Sequence, residues 1–161
     1  MYTLNFVKEL FAKFKDREYT PTVSYTQTGI PSVLKKSLKL RVVDAGDDEA
    51  TMAELYALEG PQYSLESYGI SFTASPKHAD GIMVVGAVSK NMKAALMSAY
   101  DLTPRPKIVI ACGDRALQGD TRFAEIAGSA KEVLWTLDLA IPGNPPSAKD
   151  ILSSLVSYMR S

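Results

Sequence analysis

From Leu38 onward, short apolar runs alternate along the chain with segments in which apolar residues recur at helical spacing. The apolar runs predict strands at Leu40–Asp44, Ile70–Thr73, Ile82–Gly86, Lys107–Cys112 and Val133–Thr136. The helical spacing predicts helices within Glu49–Leu58, over Lys90–Tyr100, near Arg122–Ile126 and over Ser147–Met159. Continuous apolar strands are typical of a parallel sheet that is covered on both faces. The pattern therefore predicts a three-layer, flavodoxin-like α/β domain with a mostly parallel sheet over residues 38–161.

The first 37 residues differ from the rest of the chain. Residues 3–15 place Phe6, Leu10, Phe11 and Phe14 on one face of a predicted amphipathic helix. The polar stretch that follows, Asp16–Lys36, has no sustained period and predicts an extended arm. A helix of this kind can pack on its own domain, dock on a partner protein or lie in a membrane interface. We therefore expect an N-terminal docking segment over residues 1–37.

Composition excludes several classes of protein. The chain has 161 residues, 46% of them hydrophobic, with 18 basic and 18 acidic side chains. Zero net charge is a poor match to a nucleic-acid binder, and the chain has no apolar run of the ~20 residues that cross a bilayer. The start of the chain lacks the pattern of a signal peptide, so we expect a cytosolic location. One cysteine and one histidine predict neither an internal disulfide nor a tetrahedral zinc site.

The charges are unevenly distributed along the chain. Residues 1–42 carry eight basic and three acidic side chains, whereas residues 43–66 carry seven acidic side chains and no Lys or Arg. This asymmetry is compatible with docking faces of opposite sign and equally with an ordinary solvated surface.

Four loops follow predicted strands, at the edge where parallel sheets bind their ligands. They are Asp44–Glu49, Gly86–Lys90, Gly113–Gly119 and Pro142–Pro146. The acidic first loop could bind a metal or act in acid–base chemistry, but acids at a helix N-terminus more often complement the helix dipole. The Gly113–Gly119 loop could hold an anion, yet it lacks the fingerprints of nucleotide-binding loops.

Taken together, these loops resemble one family. The matching motifs are Val43-Asp-Ala-Gly46 with Glu54, Tyr68-Gly-Ile, Ser75-Pro-Lys-His-Ala-Asp80, Val85-Gly-Ala-Val-Ser, Pro106-Lys-Ile-Val and Pro142-Gly-Asn-Pro-Pro146. They resemble the small, 20 kDa type of subunit shared by complex I (NADH:quinone oxidoreductase) and the membrane-bound group-4 [NiFe] hydrogenases. The resemblance spans Leu38 to Met159, and its detail is closer to the hydrogenase and formate hydrogenlyase branch.

The resemblance implies a [4Fe–4S] cluster held by four cysteines, and this chain has replaced all four. The family's ligand positions fall on Asp48, Thr51, Arg115 and Asn144. Cys112 lies at a position that the motif does not use. Because such a cluster needs thiolate ligands, we predict that the chain binds no cluster, no other cofactor and no metal. We expect an Arg115–Asp48 ion pair, hydrogen-bonded to Asn144 or Thr51, to fill the former cluster space.

The resemblance also implies a role. We expect a structural subunit, not itself catalytic, in an oxidoreductase-like complex. Such a complex is either redox-inactive at this point or repurposed, for instance for ion or proton translocation or for handling carbon species. Its implied partners are a large catalytic-type subunit, a ferredoxin-like subunit and integral membrane subunits, on the cytoplasmic face of the membrane. The predicted interface includes Lys77, His78 and Asp80, with Phe6, Leu10, Phe11 and Phe14. Two alternatives stay open: an active complex whose electrons bypass the chain or that keeps another ligand in the cluster pocket, and a free-standing flavodoxin-like binding protein.

Overall fold

The structure is a computed structural model that describes residues 31–46, 48–120 and 125–161. The helix predicted over residues 3–15, with Phe6, Leu10, Phe11 and Phe14, lies outside the described residues. The described chain begins just before a 3₁₀ helix, Ser32–Lys35, whose Leu34 is buried in the core. No helix among these residues is long and apolar enough to span a membrane.

Among the described residues, five parallel strands form the central sheet. They are β1 (Leu38–Gly46), β2 (Ile70–Phe72), β3 (Gly81–Gly86), β5 (Ile108–Cys112) and β7 (Leu139–Ile141). Their order is β2-β1-β3-β5-β7, and every neighbouring pair is parallel. The short strands β4 (Val88–Ser89) and β6 (Ile126–Gly128) pair separately and antiparallel. Without that pair the order is that of a flavodoxin-like sheet, as predicted.

In the described part of the chain, five α-helices follow the strands. They are α1 (Glu49–Glu59), α2 (Lys90–Leu102), α3 (Asp114–Gln118), α4 (Ala130–Leu134) and α5 (Ala148–Arg160). Two further 3₁₀ helices span Leu65–Tyr68 and Pro76–His78. Capping residues fix the helix starts: Ser147 accepts a hydrogen bond from the backbone N–H of Asp150, and Ser89 accepts one from Met92.

Helices cover both faces of the sheet and produce two separate apolar cores. On one face Leu55 of α1 and Leu155 of α5 pack with Leu40 of β1. On the other face Leu96 of α2 and Val133 of α4 belong to the second core, with strand residues such as Val43, Ile82 and Val109. Alternate residues of β1 join opposite cores, as the two-residue period of a strand requires. The predicted three-layer architecture is confirmed.

The strand predicted at Val133–Thr136 is wrong. Residues up to Leu134 belong to helix α4, because Ser129 and Glu132 form a reciprocal capping box that starts a helix. The helix ends at Trp135, which adopts a left-handed conformation at φ 58°. The edge strand comes later, at Leu139–Ile141, where it pairs with β5.

Two further predictions need correction. The helix predicted near Arg122–Ile126 meets the start of strand β6 at Ile126, where Ser89 of β4 pairs with it. Residues 121–124 lie outside the described residues. The stretch from Gly113 to Gly119, interpreted from sequence as a loop, contains the five-residue helix α3. A helix this short has too few residues to show a clear apolar period.

Candidate functional site

The loops that follow β5 and β7 are joined by paired hydrogen bonds at the carboxyl edge of the sheet. The Asp114 carboxylate accepts a hydrogen bond from the backbone N–H of Gly143, with Oδ1 2.9 Å from N. The backbone N–H of Asp114 donates in return to the Gly143 carbonyl, at 2.7 Å. This carboxylate therefore links the two loops that carry Arg115 and Asn144, two of the ligand positions expected from the resemblance.

The loop that follows β1 lies next to the loops that follow β5 and β7. Gly113 adopts φ 92°, a conformation that favours glycine. A Cβ atom at Gly113 would lie 3.2 Å from Oγ1 of Thr51 and 3.4 Å from Oδ2 of Asp48. The start of α1 is thus packed directly against the backbone between β5 and α3. Three of the predicted loops therefore converge at this edge, and we call this convergence the loop junction.

Asp48 and Thr51 form the buried side of the loop junction. The Asp48 side chain is 6% exposed and caps α1, with Oδ1 3.2 Å from the backbone N–H of Thr51 that donates to it. Thr51 is fully buried, and its hydroxyl has no hydrogen-bond partner among the described residues. Asp48 and Thr51, two of the ligand positions expected from the resemblance, therefore lie at the start of a helix and serve its cap.

Arg115 and Asn144 differ from the expected arrangement. Nη2 of Arg115 lies 3.8 Å from Oδ2 of Asp120, and the Asp120 side chain is only 5% exposed. The structure thus gives Arg115 a salt bridge to Asp120 in place of the expected one to Asp48, whose carboxylate is engaged in capping α1. Asp120 lies just beyond the end of α3, within reach of a side chain on that helix. Asn144 is exposed.

Cys112 is fully buried in the last position of β5. Burial, and to a lesser degree the charge of Asp48, raises the pKa of its thiol, so the neutral form is favoured. The parts of the chain that the structure describes hold no group of three or more His, Cys, Asp or Glu side chains placed to bind a metal ion. Carboxylate, hydroxyl, amide and guanidinium groups are not the soft, anionic donors of an iron–sulfur cluster. The residues present do not fit a [4Fe–4S] cluster.

Other motif residues connect segments of the fold or lie on the surface. Glu54, on the second turn of α1, accepts a hydrogen bond from the backbone N–H of Ala148, 2.8 Å away at the start of α5. Asp80 accepts one from the backbone N–H of Lys39 at 2.7 Å and so joins the Ser-Pro-Lys-His-Ala-Asp turn to β1. The neighbouring Lys77 and His78 are exposed. Sequence reasoning missed Asp114 and Asp120, because nothing in their spacing indicated a loop tie or an ion pair.

Comparison with known proteins places the chain in a family. Residues 49–158 match the family model described as NADH ubiquinone oxidoreductase, 20 Kd subunit. That range contains α1, most of α5 and most of the loop junction. The chain belongs to this family, and the resemblance predicted from the loop motifs is confirmed.

Several relatives agree with this assignment. An uncharacterised protein of Methanocaldococcus jannaschii is 33% identical, covering 76% of this chain and 82% of that protein. The probable membrane-bound hydrogenase subunit mbhJ of Pyrococcus furiosus is 30% identical over 71% of this chain and 69% of its own length. Formate hydrogenlyase subunit 7 of Escherichia coli is 32% identical over 71% of this chain and 45% of its own length.

A solved structure shares the fold. A chain of the membrane-bound sulfane sulfur reductase, an archaeal respiratory membrane complex, superposes with a TM-score of 0.65 at 24% identity. The match covers 80% of this chain and 71% of that chain. The likeness supports the three-layer α/β fold described above.

Proposed function

We propose that this chain is a structural small subunit, without a cluster and without a role in electron transfer, of a membrane-bound complex related to complex I and to membrane-bound hydrogenases. Family membership and the names of two relatives, a membrane-bound hydrogenase subunit and a formate hydrogenlyase subunit, support a place in such a complex.

The observation that carries the cluster-less role is the set of residues at the four ligand positions. Asp48 caps a helix, Thr51 is buried beside it, Arg115 pairs with Asp120, and Asn144 is exposed. None of these side chains supplies a thiolate to hold an iron–sulfur cluster, and without a cluster these positions offer no redox centre for electron transfer. A loop junction held by hydrogen bonds also needs no cofactor to connect its loops.

The same family relationship supports a set of partners. We propose that the loop junction faces a large catalytic-type subunit, and that other surfaces meet a ferredoxin-like subunit and integral membrane subunits. The exposed Lys77 and His78 are candidates for one of these interfaces, because Asp80 ties their turn rigidly to β1. In this proposal the chain is peripheral, on the cytoplasmic face of the membrane, through its partners.

Assembly in the native host tests this role. Affinity purification of the full chain should recover a large subunit and membrane subunits in fixed proportion, and deletion of the chain should disperse those subunits. The double substitution Lys77→Glu with His78→Ala should lower their recovery, whereas Lys93→Glu, at an exposed lysine on α2, should leave it unchanged. Recovery of the chain alone, with the complex intact in the deletion strain, would instead favour a free-standing binding protein.

A further inference from the structure

Two adjoining hollows lie where helix α5 ends. One, of about 210 Å³, is lined by Lys35, Ser67, Tyr68, Val156, Met159 and Arg160. The other, of about 560 Å³, is lined by Ser153, Val156, Ser157, Arg160 and Ser161. Because Val156 and Arg160 line both, the hollows form one continuous surface, which we call the basic patch.

The basic patch combines cations with exposed apolar side chains. Within the patch, Lys35 and Arg160 are exposed and Tyr68 is 45% exposed. Beside the patch, Val33, two residues before Lys35, is 76% exposed. The neighbouring Lys36 is also exposed. Leu34 is held in the core beneath, so the 3₁₀ helix that carries Val33 and Lys35 is anchored to the domain. Exposed aliphatic and aromatic groups beside cations are typical of surfaces that lie in a membrane interface.

Charge separates the basic patch from another hollow, which is lined in part by the same 3₁₀ helix, Leu65–Tyr68. Among the described residues that line its two hollows, none is acidic. The hollow on the other side of the Leu65–Tyr68 turn is lined by Glu59 and Glu66. The basic patch therefore attracts an anionic occupant, and the acidic hollow repels one.

The N-terminal segment adjoins the basic patch and has a similar composition. The described chain begins at Pro31, directly before the 3₁₀ helix of the basic patch, so residues 1–30 join the domain there. Their sequence carries Phe6, Phe11 and Phe14 together with Lys8, Lys13 and Lys15. The same combination of apolar and cationic groups thus continues from the patch into the adjoining segment.

We propose that the basic patch binds the headgroups of anionic phospholipids directly and holds this end of the domain against a membrane surface. Lys35, Lys36 and Arg160 would contact the headgroups, while Val33 and Tyr68 would enter the boundary between headgroups and acyl chains. This inference goes beyond the proposed function, because it requires no partner protein.

Vesicle sedimentation of the purified full chain tests this inference. We expect the chain to bind vesicles of phosphatidylcholine that contain about a third phosphatidylglycerol, to bind phosphatidylcholine alone far less, and to dissociate at high salt. Lys35→Gln and Arg160→Gln should each weaken partitioning about fivefold, the effect of one cation near an anionic surface. Lys131→Gln and Lys149→Gln remove exposed lysines elsewhere, Lys149 at the opposite end of α5, and should change nothing.

Two results would overturn the inference. One is the absence of binding to the phosphatidylglycerol vesicles. The other is vesicle binding by the Lys35→Gln and Arg160→Gln variants that is as strong as the binding of the two control variants. If the patch variants instead reduce recovery of partner subunits and leave lipid binding unchanged, the patch docks a protein and the lipid assignment is wrong. The first two results leave the proposed function untouched, because co-purification tests it separately, and reduced recovery of partner subunits would support it.

Discussion

At the scale of single residues, two of the four positions that the resemblance assigns to cluster ligands, Asp48 and Arg115, make contacts within the fold itself. A carboxylate at Asp48 serves as a helix cap, which a thiol does poorly, and Asp, Asn, Ser and Thr are the side chains that best satisfy the free N–H groups there. A side chain at Gly113 would be strained, because its φ is 92° and the Thr51 and Asp48 side chains occupy the adjacent space. Glycine is therefore suited to this position.

Arg115 should contribute to stability through its pair with Asp120. Arg115→Ala would leave the buried Asp120 carboxylate without this cation, at an expected cost of roughly 1–3 kcal/mol in the free energy of unfolding. Urea unfolding measures the effect. Arg115→Lys should retain part of the stability, and Arg105→Ala, at an exposed arginine, is the matched control. Equal stability of the Arg115→Ala and Arg105→Ala variants would show that the pair contributes nothing.

Tyr158 should make the fold sensitive to alkaline pH. Burial, reinforced by the charge of Asp138, raises the pKa of its phenol to about 12, from about 10 in the unfolded chain. Above pH 10 the unfolded chain loses this proton while the folded chain retains it, so stability falls between pH 10 and 12, by at most roughly 2–3 kcal/mol. Tyr158→Phe should remove this part of the loss.

The matched control is Tyr56→Phe, at a tyrosine that is 65% exposed. Denaturant unfolding at several pH values from neutral to pH 12 measures both variants. A Tyr158→Phe variant whose stability falls as steeply over this range as that of the Tyr56→Phe variant would contradict the prediction.

At the scale of elements, carboxylates that accept backbone N–H groups hold the layers in register. Asp80 ties the turn before β3 to β1, Asp138 ties the start of β7 to Val109 of β5, and Glu54 ties α1 to the start of α5. Asp114 performs the same task in the loop junction. These contacts join segments that are distant in sequence.

Glu54 offers a direct test of such a tie. Glu54→Ala removes the acceptor for the Ala148 N–H at the positive end of α5, and we expect a loss of about 1–2 kcal/mol in the free energy of unfolding. Glu54→Gln keeps an oxygen acceptor and should lose less. Glu59→Ala, at an exposed position on the same helix, should be near neutral by the same thermal or urea measurement. A loss as large at Glu59 as at Glu54 would refute the tie.

The fold could be predicted where the apolar pattern was long or the cap was clear. Helices α2 and α5 and the buried strands β3 and β5 were placed within two residues at each end. The region from Asp114 to Leu139 could not be predicted from the apolar pattern, because its elements have only three to five residues. Whether they are helices or strands depends on tertiary pairing and on the Ser129 cap. The convergence of the loops was predictable from topology, whereas the choice of Asp120 as the partner of Arg115 depended on side-chain reach.

At the scale of the whole molecule, opposite ends of the parallel sheet differ in character. The carboxyl edge, where the family holds its cluster, is occupied by a loop junction of hydrogen bonds and buried side chains. The opposite end carries the basic patch and the point where residues 1–30 join the domain. In the proposed role the surfaces of the molecule provide its function, and the former cluster site contributes to its stability.

The central claim, that this chain carries no iron–sulfur cluster, is tested most directly by iron and acid-labile sulfide analysis with EPR spectroscopy. The chain should be purified anaerobically with its native partners, and the iron assigned to each polypeptide separately, so that clusters in the partners serve as the internal control. We predict no iron or sulfide in this chain and no EPR signal that responds to substitution of Asp48, Thr51, Arg115 or Asn144. A [4Fe–4S] signal that maps to this chain would contradict the claim and would indicate that the chain functions in electron transfer.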